Sequence, residues 1–402
     1  VRAAAALAAA APAAGAPAPV RRRAFVVVLD ACGVGVLPDA ADPGDAGADT
    51  LGHVAAASGG LDLPVLGRLG LGCVHPLDGV PATDSPVLHG RLAPRGPGKD
   101  STTGHWELMG VVASEPLPTY PGGFPPEIVE RLSAATGRGI LCNTTANGVE
   151  AILGWGEQHL RTGDLIVYTS VDSVLQIAAH GDVVAVEELY EACATVRAQM
   201  TGEHAVGRVI ARPFQGPPGG FTRTLGRRDY SVPPPGRSYL EELRAAGTAV
   251  HAVGKVDQLF AGVGIDAAHA GPTNAIAVAA TDRLLDSLDA GLAFVNLVET
   301  DQVYGHRKDV PGFERALVAI DAAVGRWLEG LRPDDLLVLT ADHGCDPTTP
   351  GTDHTREHVP LLAAFDGHGG RRHDGALSDV GASALEWLTG RSAPDLPGES
   401  FL

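Results

Sequence analysis

The sequence predicts an α/β protein whose core holds a mostly parallel sheet, and two observations support this. First, three predominantly apolar runs, typical of strands covered on both faces, each precede an aspartate: Ala24–Leu29 before Asp30, Leu292–Val298 before Asp301, and Leu336–Leu339 before Asp342. Second, helical patterns alternate with these runs, over roughly 273–288 and 313–331. At 402 residues the chain exceeds the size at which one core stops growing, so we expect two domains.

The first 22 residues are almost all Ala, Pro and Arg, and we interpret them as a disordered leader. They resemble a secretory signal only faintly, because only Leu7 has a large apolar side chain and Pro12 interrupts the run. An upstream start codon read by mistake is the other interpretation. No run of large apolar residues is long enough for a transmembrane helix.

Changes in texture divide the rest of the chain into three segments. Residues 23–114 form the first part of the core domain. Pro- and Gly-rich links begin at about Glu115, and residues 115–232 form a smaller α/β segment that the stiff run Ser231–Gly236 closes. Strand–helix alternation then returns, so residues 233–402 form the second part of the core domain.

Composition narrows the class of partner and the compartment. The formal net charge of −18 argues against nucleic acid and against docking on an anionic membrane, although a local arginine cluster can still bind a small phosphorylated ligand. The five cysteines are odd in number and form no CxxC motif, which indicates no disulfide framework and fits a reducing cytoplasm.

The three strand-end aspartates are candidate metal ligands. In open α/β sheets, ligands bind beyond the carboxyl ends of the strands, where Asp30 would lie, although an aspartate there can also cap a helix. Independent capping explains one or two such residues. All three, two of them with histidines close behind, favour a shared metal site with these candidate ligands: Asp30, Asp301, His306, Asp342, His343 and His354.

Six such ligands are too many for one tetrahedral ion and suit two neighbouring ions. Carboxylates and imidazoles without thiolate indicate Mn²⁺ or Zn²⁺. We considered Cys345 as a further ligand, but favour its packing as a small apolar residue.

Two more segments have both a functional and a plain structural interpretation. Ser101 is followed by Thr102 and Thr103; these hydroxyls either cap a helix or supply a nucleophile activated by metal. Residues 208–228 contain no acidic residue. They contain five arginines, which favour anion binding over a merely solvent-exposed basic surface: Arg208, Arg212, Arg223, Arg227 and Arg228.

Several motifs together resemble phosphopentomutases of the alkaline phosphatase superfamily, from about Arg23 to Leu402. They are Asp30-x-x-Gly-x-Gly35, Gly98-Lys-Asp-Ser-x-Thr-Gly-His-Trp-Glu107, Asp301-x4-His306-Arg307, Asp342-His-Gly344 and Gly351-Thr-Asp-His-Thr-Arg-Glu357. The segments Tyr168–Ile177 and Arg208–Phe214 are similar to the cap domain of that family.

The resemblance implies an alkaline-phosphatase-like core with an inserted cap and two Mn²⁺ ions between them. One ion would be bound by Asp30, Asp342 and His343, and the other by Asp301, His306 and His354. The residue phosphorylated in the family is a threonine directly after Lys-Asp; here it is Ser101, with Thr102 as the reserve. Further implied contacts to the sugar phosphate are Asp172, Arg208, Arg223 and Lys255.

The implied reaction interconverts ribose 1-phosphate, or deoxyribose 1-phosphate, with the 5-phosphate, and a sugar bisphosphate activates the enzyme. The sequence leaves the oligomeric state open. Other interpretations are a phosphoglycerate mutase, for which the chain is short, a phosphohydrolase, or an inactive sugar-phosphate sensor.

Overall fold

The computed structural model describes residues 21–40, 42–170, 172–366 and 369–402. Most of the leader predicted for residues 1–22 therefore lies outside the described residues. The strands are β1 (Arg23–Leu29), β2 (Leu88–Ala93), β3 (Ile140–Thr145), β4 (Leu165–Thr169), β5 (Val174–His180), β6 (Arg208–Gln215), β7 (Thr222–Arg223), β8 (Arg228–Ser231), β9 (Val250–Val253), β10 (Ala267–His269), β11 (Gly291–Leu297), β12 (Asp335–Thr340), β13 (Val359–Ala364) and β14 (Gly375–Ala376).

The helices are α1 (Thr50–Ser58), α2 (Pro64–Arg68), α3 (Leu71–Val74), α4 (Ser101–Leu108), α5 (Pro126–Thr136), α6 (Gly148–Thr162), α7 (Val186–Gln199), α8 (Tyr239–Ala245), α9 (Val256–Leu259), α10 (Asn274–Ser287), α11 (Val310–Gly330) and α12 (Asp379–Thr389). The two long helices predicted near 273–288 and 313–331 are thus present as α10 and α11, each within a few residues of the predicted bounds. No helix of the described segments is both long and apolar enough to cross a bilayer.

The larger of two sheets has eight strands in the order β10-β9-β11-β1-β12-β13-β2-β14. The pairs from β10 to β12 are all parallel, and β13 is antiparallel to both of its neighbours. Every residue of β1, β11 and β12 is buried, as expected for central strands covered by helices on both faces. The predicted mostly parallel α/β class is confirmed.

The smaller sheet has the strand order β3-β4-β5-β6-β7, with β8 also paired to β6. Its strands come from residues 140–231, whereas those of the large sheet come from residues 23–93 and 250–376. Two apolar clusters, one containing Ile128 and the other Phe214, lie on its two faces and are separate from the main core. The domain boundaries at 115 and 232 stay a prediction.

The parallel register brings the carboxyl ends of three central strands to one edge. Strand β1 pairs with β11 on one side and with β12 on the other, in the same direction. The aspartates that follow these strands, Asp30, Asp301 and Asp342, therefore emerge at the same edge and are all buried. Asp301 lies in a short π-helical turn, Thr300–Gly305, directly after β11.

Candidate active site

The candidate nucleophile Ser101 is the first residue of helix α4. The N-cap is Asp100, whose carboxylate accepts hydrogen bonds from the backbone N–H groups of Thr102 and Thr103. Capping by Ser101 itself is therefore wrong, and its hydroxyl is available for other contacts. The Oγ atom lies 3.1 Å from His343 Nε2 and 3.3 Å from Asp30 Oδ1.

The first candidate ligand triad surrounds that hydroxyl. His343 Nε2 lies 3.4 Å from Asp30 Oδ1 and 3.4 Å from Asp342 Oδ2. His343 Nδ1 donates to the carbonyl oxygen of Gly344 at 3.0 Å, which directs Nε2 toward the carboxylates. Backbone N–H groups of Ala31 and His343 hold the other oxygen of Asp342 at 3.2 and 3.1 Å.

The second triad lies directly beside the first, since the rings of His343 and His354 have centroids 4.2 Å apart. Asp301 Oδ1 lies 3.2 Å from His354 Nε2 and 3.3 Å from His306 Nε2. The two imidazole nitrogens are 3.1 Å from each other. The structure thus brings all six sequence-predicted ligands into one cluster.

The ligand atoms of this cluster are directed at one another, as expected of a cation site. His306 Nδ1 donates to the carbonyl oxygen of Thr352 at 2.7 Å, so its Nε2 lone pair faces His354 and Asp301. Two buried carboxylate oxygens, Asp301 Oδ1 and Asp342 Oδ2, accept no well-aligned hydrogen bond in the described part of the chain and instead face imidazole nitrogens, His354 Nε2 at 3.2 Å and His105 Nδ1 at 3.0 Å. Buried carboxylates facing imidazoles are stabilised by a cation, so these residues fit divalent metal.

The electrostatics lead to the same conclusion. Burial, followed by repulsion from Asp342 and Asp301, raises the pKa of Asp30. Burial acts in the same direction on Asp342, but His343 and His105 outweigh it and lower the pKa of that carboxyl to about 2. The pKa of His343 rises despite burial, because Asp342 and Asp30 stabilise its charged form. The ionised form of Asp342 therefore depends on nearby positive charge, and Asp30 needs more of it to ionise.

Cys345 also lies near the second triad, with Sγ inside a group of candidate ligand atoms from Asp301 and His306 that all lie within 4.8 Å of one another. Burial and then the charge of Asp301 raise the pKa of this thiol, so it stays protonated. A protonated, buried thiol favours the interpretation of Cys345 as a packing residue.

The sequence interpretation missed two buried residues, Asn296 and His105, that connect the candidate nucleophile to the candidate ligands. Asn296 Nδ2 lies 3.0 Å from Asp30 Oδ2 and 2.9 Å from His105 Nε2. An amide nitrogen only donates, so His105 Nε2 must accept and its Nδ1 carries the proton. That nitrogen lies 2.8 Å from the carbonyl oxygen of Ser101. A polar residue inside the apolar run Leu292–Val298 was the signal for Asn296.

Glu357, from the last of the resemblance motifs, fixes the loop after β1. This buried carboxylate accepts from the backbone N–H of Gly35 at 3.1 Å and from the backbone N–H and the hydroxyl of Thr50 at 2.9 and 2.6 Å. A Cβ on Gly33 would lie 2.4 Å from the same carboxylate, so only glycine fits there. The glycines after Asp30 thus allow the turn to pack against Glu357.

A cleft of about 980 Å³ opens from the cluster and is closed on its other side by the small sheet. The four residues expected to contact a sugar phosphate all line it: Asp172, Arg208, Arg223 and Lys255. Ser101, Asp301, His306 and His354 line the same cleft. Lys255 is partly buried at the wall of this cleft, and loss of water around its amine lowers the pKa of that group although Asp30 acts to raise it.

Comparison with known proteins gives a consistent set of relatives. A family model described as the metalloenzyme superfamily matches residues 22–390. A phosphopentomutase of Anaeromyxobacter sp. (strain K) is 52% identical over 387 residues, which cover 95% of this chain and 99% of that protein. A phosphopentomutase of Dictyoglomus turgidum is 46% identical over 388 residues, 95% of this chain and 97% of that protein. A solved structure of Leishmania mexicana phosphoglycerate mutase at low cobalt concentration shares the fold, with a TM-score of 0.50, 15% identity and coverage of 94% and 97% of the two chains.

Proposed function

Because this chain belongs to the phosphopentomutase family of the metalloenzyme superfamily, we propose that it interconverts ribose 1-phosphate and ribose 5-phosphate, or their deoxyribose counterparts, through a phosphorylated Ser101 beside two metal ions. The chain is an enzyme, a mutase acting on a pentose phosphate. The proposal adds the two substrates, the phosphoenzyme, the pair of ions and the residue roles.

One observation supports the proposal above the others: the Ser101 hydroxyl lies 3.1 Å from His343 Nε2 and 3.3 Å from Asp30 Oδ1, at the floor of the cleft. In the proposed arrangement Asp30, Asp342 and His343 bind one ion, and Asp301, His306 and His354 bind the other. Two Mn²⁺ ions held there would neutralise the charge of the phosphoryl group and favour the ionised hydroxyl. The N-terminal end of α4 adds a favourable dipole for a phosphoryl group on Ser101.

The proposed reaction has two balanced transfers. In the first, the Oγ–P bond of phosphorylated Ser101 breaks, a bond forms between phosphorus and the free 5-hydroxyl of ribose 1-phosphate, and the hydroxyl proton passes to Oγ. In the second, Oγ attacks the 1-phosphoryl group of the bisphosphate, and its proton passes to the departing sugar oxygen. The phosphoenzyme is restored and ribose 5-phosphate leaves. A sugar bisphosphate would restore enzyme that has lost its phosphoryl group.

Mass spectrometry of the purified protein tests the phosphoenzyme directly, with a phosphoryl group expected on Ser101 within the peptide Lys99–Trp106. The activity assay converts ribose 1-phosphate to ribose 5-phosphate with Mn²⁺ present. Ser101→Ala is expected to abolish turnover. The matched control is Thr102→Ala, which removes the adjacent hydroxyl and should leave Ser101 phosphorylated.

Each other outcome has a distinct meaning. Unchanged turnover in Ser101→Ala excludes this residue as the nucleophile, and a phosphoryl group on Thr102 would transfer that role. Net release of phosphate without isomerisation would instead indicate a phosphohydrolase. Binding of metal and sugar phosphate without turnover would indicate a sensor.

A further inference from the structure

A closed loop of residues 345–354, called the ligand loop below, leads from the first candidate ligand triad to the second. An antiparallel bridge between Gly344 and Thr355 closes its base, with N–H···O distances of 3.1 and 2.8 Å. His343 of the first triad precedes the loop, and His354 of the second triad is its last residue. The position of His354 therefore depends on how the whole loop is held.

The ligand loop also orients His306, the other imidazole of the second triad. The carbonyl oxygen of Thr352 accepts from His306 Nδ1 at 2.7 Å, and the carbonyl oxygen of Pro350 accepts from Lys308 Nζ at 2.5 Å. A hydrogen bond at one ring nitrogen fixes the direction of the other, so the loop sets where His306 Nε2 points. Both histidines of the second triad thus depend on one segment.

One carboxylate, that of Asp346, attaches the ligand loop to helix α1. Its side chain is fully buried, with 0% exposure. Oδ1 accepts from the backbone N–H and from the hydroxyl of Thr348 at 2.9 and 2.7 Å, within the loop. Oδ2 accepts from the backbone N–H of Asp49, the N-cap residue of α1, at 3.1 Å and lies 2.5 Å from His53 Nδ1. Both oxygens have protein donors, so Asp346 is an anchor and not a further ligand.

His53 is the side-chain donor of this anchor. A carboxylate only accepts hydrogen bonds, so His53 Nδ1 must carry a proton. Partial burial acts to lower the pKa of His53, but the hydrogen bond to Asp346 and the charge of that carboxylate outweigh it and raise the pKa. The backbone N–H of Cys345 also donates to the Thr50 hydroxyl, at 3.1 Å. Two consecutive loop residues are thus attached to the N-terminal part of α1.

We propose that Asp346 and His53 are positioning residues that hold the second triad in place for its metal ion, by fixing the ligand loop against α1. The inference rests on the proposed function, because it concerns one of the two ions proposed there. The ligands of the first triad closely follow strands β1 and β12 and lie outside the loop. Loss of the anchor should therefore weaken binding of the second ion and spare the first.

The test is a calorimetric titration of the chelator-treated full chain with Mn²⁺, in two backgrounds that each impair one site. Asp30→Asn impairs the first site and leaves the second, and His306→Ala does the reverse. Asp346→Asn conserves volume and removes the negative charge. In the Asp30→Asn background it should weaken Mn²⁺ binding about tenfold, the lower end of the range for losing a group that orients a metal ligand. In the His306→Ala background it should leave Mn²⁺ affinity unchanged.

Further variants separate positioning from a general loss of stability. His53→Leu removes the donor and should weaken the same ion, whereas His53→Asn, whose amide N–H lies close to the position of the Nδ1–H, should restore its affinity. The matched control is Asp321→Asn, because this buried carboxylate also accepts backbone N–H groups, those of Val65 and Leu66 at 3.1 and 2.7 Å. It should lower stability in urea and leave Mn²⁺ affinity unchanged in both backgrounds.

The outcomes that overturn the inference are distinct from one another. Unchanged Mn²⁺ affinity on adding Asp346→Asn to Asp30→Asn overturns the positioning role, as does an equal loss of affinity in Asp321→Asn. If Asp346→Asn does not fold, His53→Leu decides the same question, since the His53 side chain is 42% exposed. A parent chain that binds only one Mn²⁺ ion overturns the proposed pair of ions and this inference with it, whereas failure of the positioning role alone leaves a parent that binds two.

Discussion

Replacing Asn296 by leucine tests whether the buried connection to Asp30 orients the proposed metal ligands or only stabilises the fold. The substitution nearly conserves volume but removes both N–H donors of the side chain. One of them donates to Asp30 Oδ2 at 3.0 Å and the other to His105 Nε2 at 2.9 Å. Asn296 is fully buried, so water cannot replace either bond.

The expected magnitude follows from these two contacts. A hydrogen bond to a charged carboxylate contributes about 1.5–3 kcal/mol, and one to a neutral imidazole about 1 kcal/mol. We therefore expect Asn296→Leu to lower the free energy of unfolding by about 3 kcal/mol. Loss of a partner that orients a metal ligand typically lowers metal affinity by about 10–100-fold, and the proposed site of Asp30, Asp342 and His343 should be the one affected.

The assay is a titration of chelator-treated protein with Mn²⁺, read by calorimetry and by metal content, together with urea unfolding. The control is Thr281→Val, which removes a buried hydroxyl that donates to the Ala277 carbonyl oxygen at 2.9 Å, away from the cluster. It should cost about 1 kcal/mol and leave metal affinity unchanged. If Asn296→Leu lowers stability but binds Mn²⁺ as tightly as the parent, Asn296 does not position the ligand and the reasoning is refuted.

Four further predictions concern stability, capping, pH and metal. Asp335→Ala should cost about 3–5 kcal/mol in urea unfolding, because it leaves the buried Arg23 guanidinium unpaired, and should not change Mn²⁺ affinity. Asp100→Ala removes the N-cap of α4, so it should lower the free energy of unfolding by about 1 kcal/mol in urea and reduce phosphorylation at Ser101 measured by mass spectrometry. Lower stability with unchanged phosphorylation would contradict the role of the helix end. Burial lowers the pKa of His159 in the folded state, so the unfolded state binds the proton more readily and the free energy of unfolding should fall as pH drops below about 6.5. Urea midpoints measured between pH 7.5 and 5.5 should therefore decrease in the parent and decrease less in His159→Gln. Chelation should lower the Tm, and added Mn²⁺ should restore it. At a Mn²⁺ concentration of a hundred times Kd, binding should add about 2.7 kcal/mol to the free energy of unfolding. A Tm that responds to neither treatment would contradict a metal site.

The central strands and the meeting of the aspartates that follow them were predictable because both leave a local pattern in the sequence. A central strand of a parallel sheet is apolar on both faces, so Ala24–Leu29 is recognisable without knowledge of its neighbours. The aspartate after each such strand lies at the edge where the strands end together, which is why Asp30, Asp301 and Asp342 meet. The prediction that the three aspartates meet required only that the strands run in the same direction, and β1 does pair in parallel with both β11 and β12.

The orientation of side chains was not predictable, because it depends on contacts between distant segments. Nothing near Tyr168 in the sequence shows that its hydroxyl reaches Gly148 at the start of another helix. The choice between Ser101 and Asp100 as the cap of α4 likewise depends on backbone geometry, since both residue types cap helices well. Asn296 was visible only as one polar residue in an apolar strand.

The two ends of the same strands show how a structural carboxylate differs from a functional one. At the amino end, Asp335 accepts from Arg23 Nε at 2.8 Å, from Arg23 Nη2 at 2.5 Å and from the N–H of Arg332 at 2.7 Å, so both of its oxygens are satisfied. At the carboxyl end, Asp342 is equally buried, but the basic groups nearest its Oδ2 are two imidazoles, His105 Nδ1 at 3.0 Å and His343 Nε2 at 3.4 Å. Burial is therefore the same at both ends, and the partners differ: a permanently charged guanidinium at one end, and imidazoles that carry charge only when protonated at the other. Because a buried carboxylate facing neutral imidazoles is stabilised by a cation beside it, the carboxyl end is where metal and phosphate chemistry should be sought.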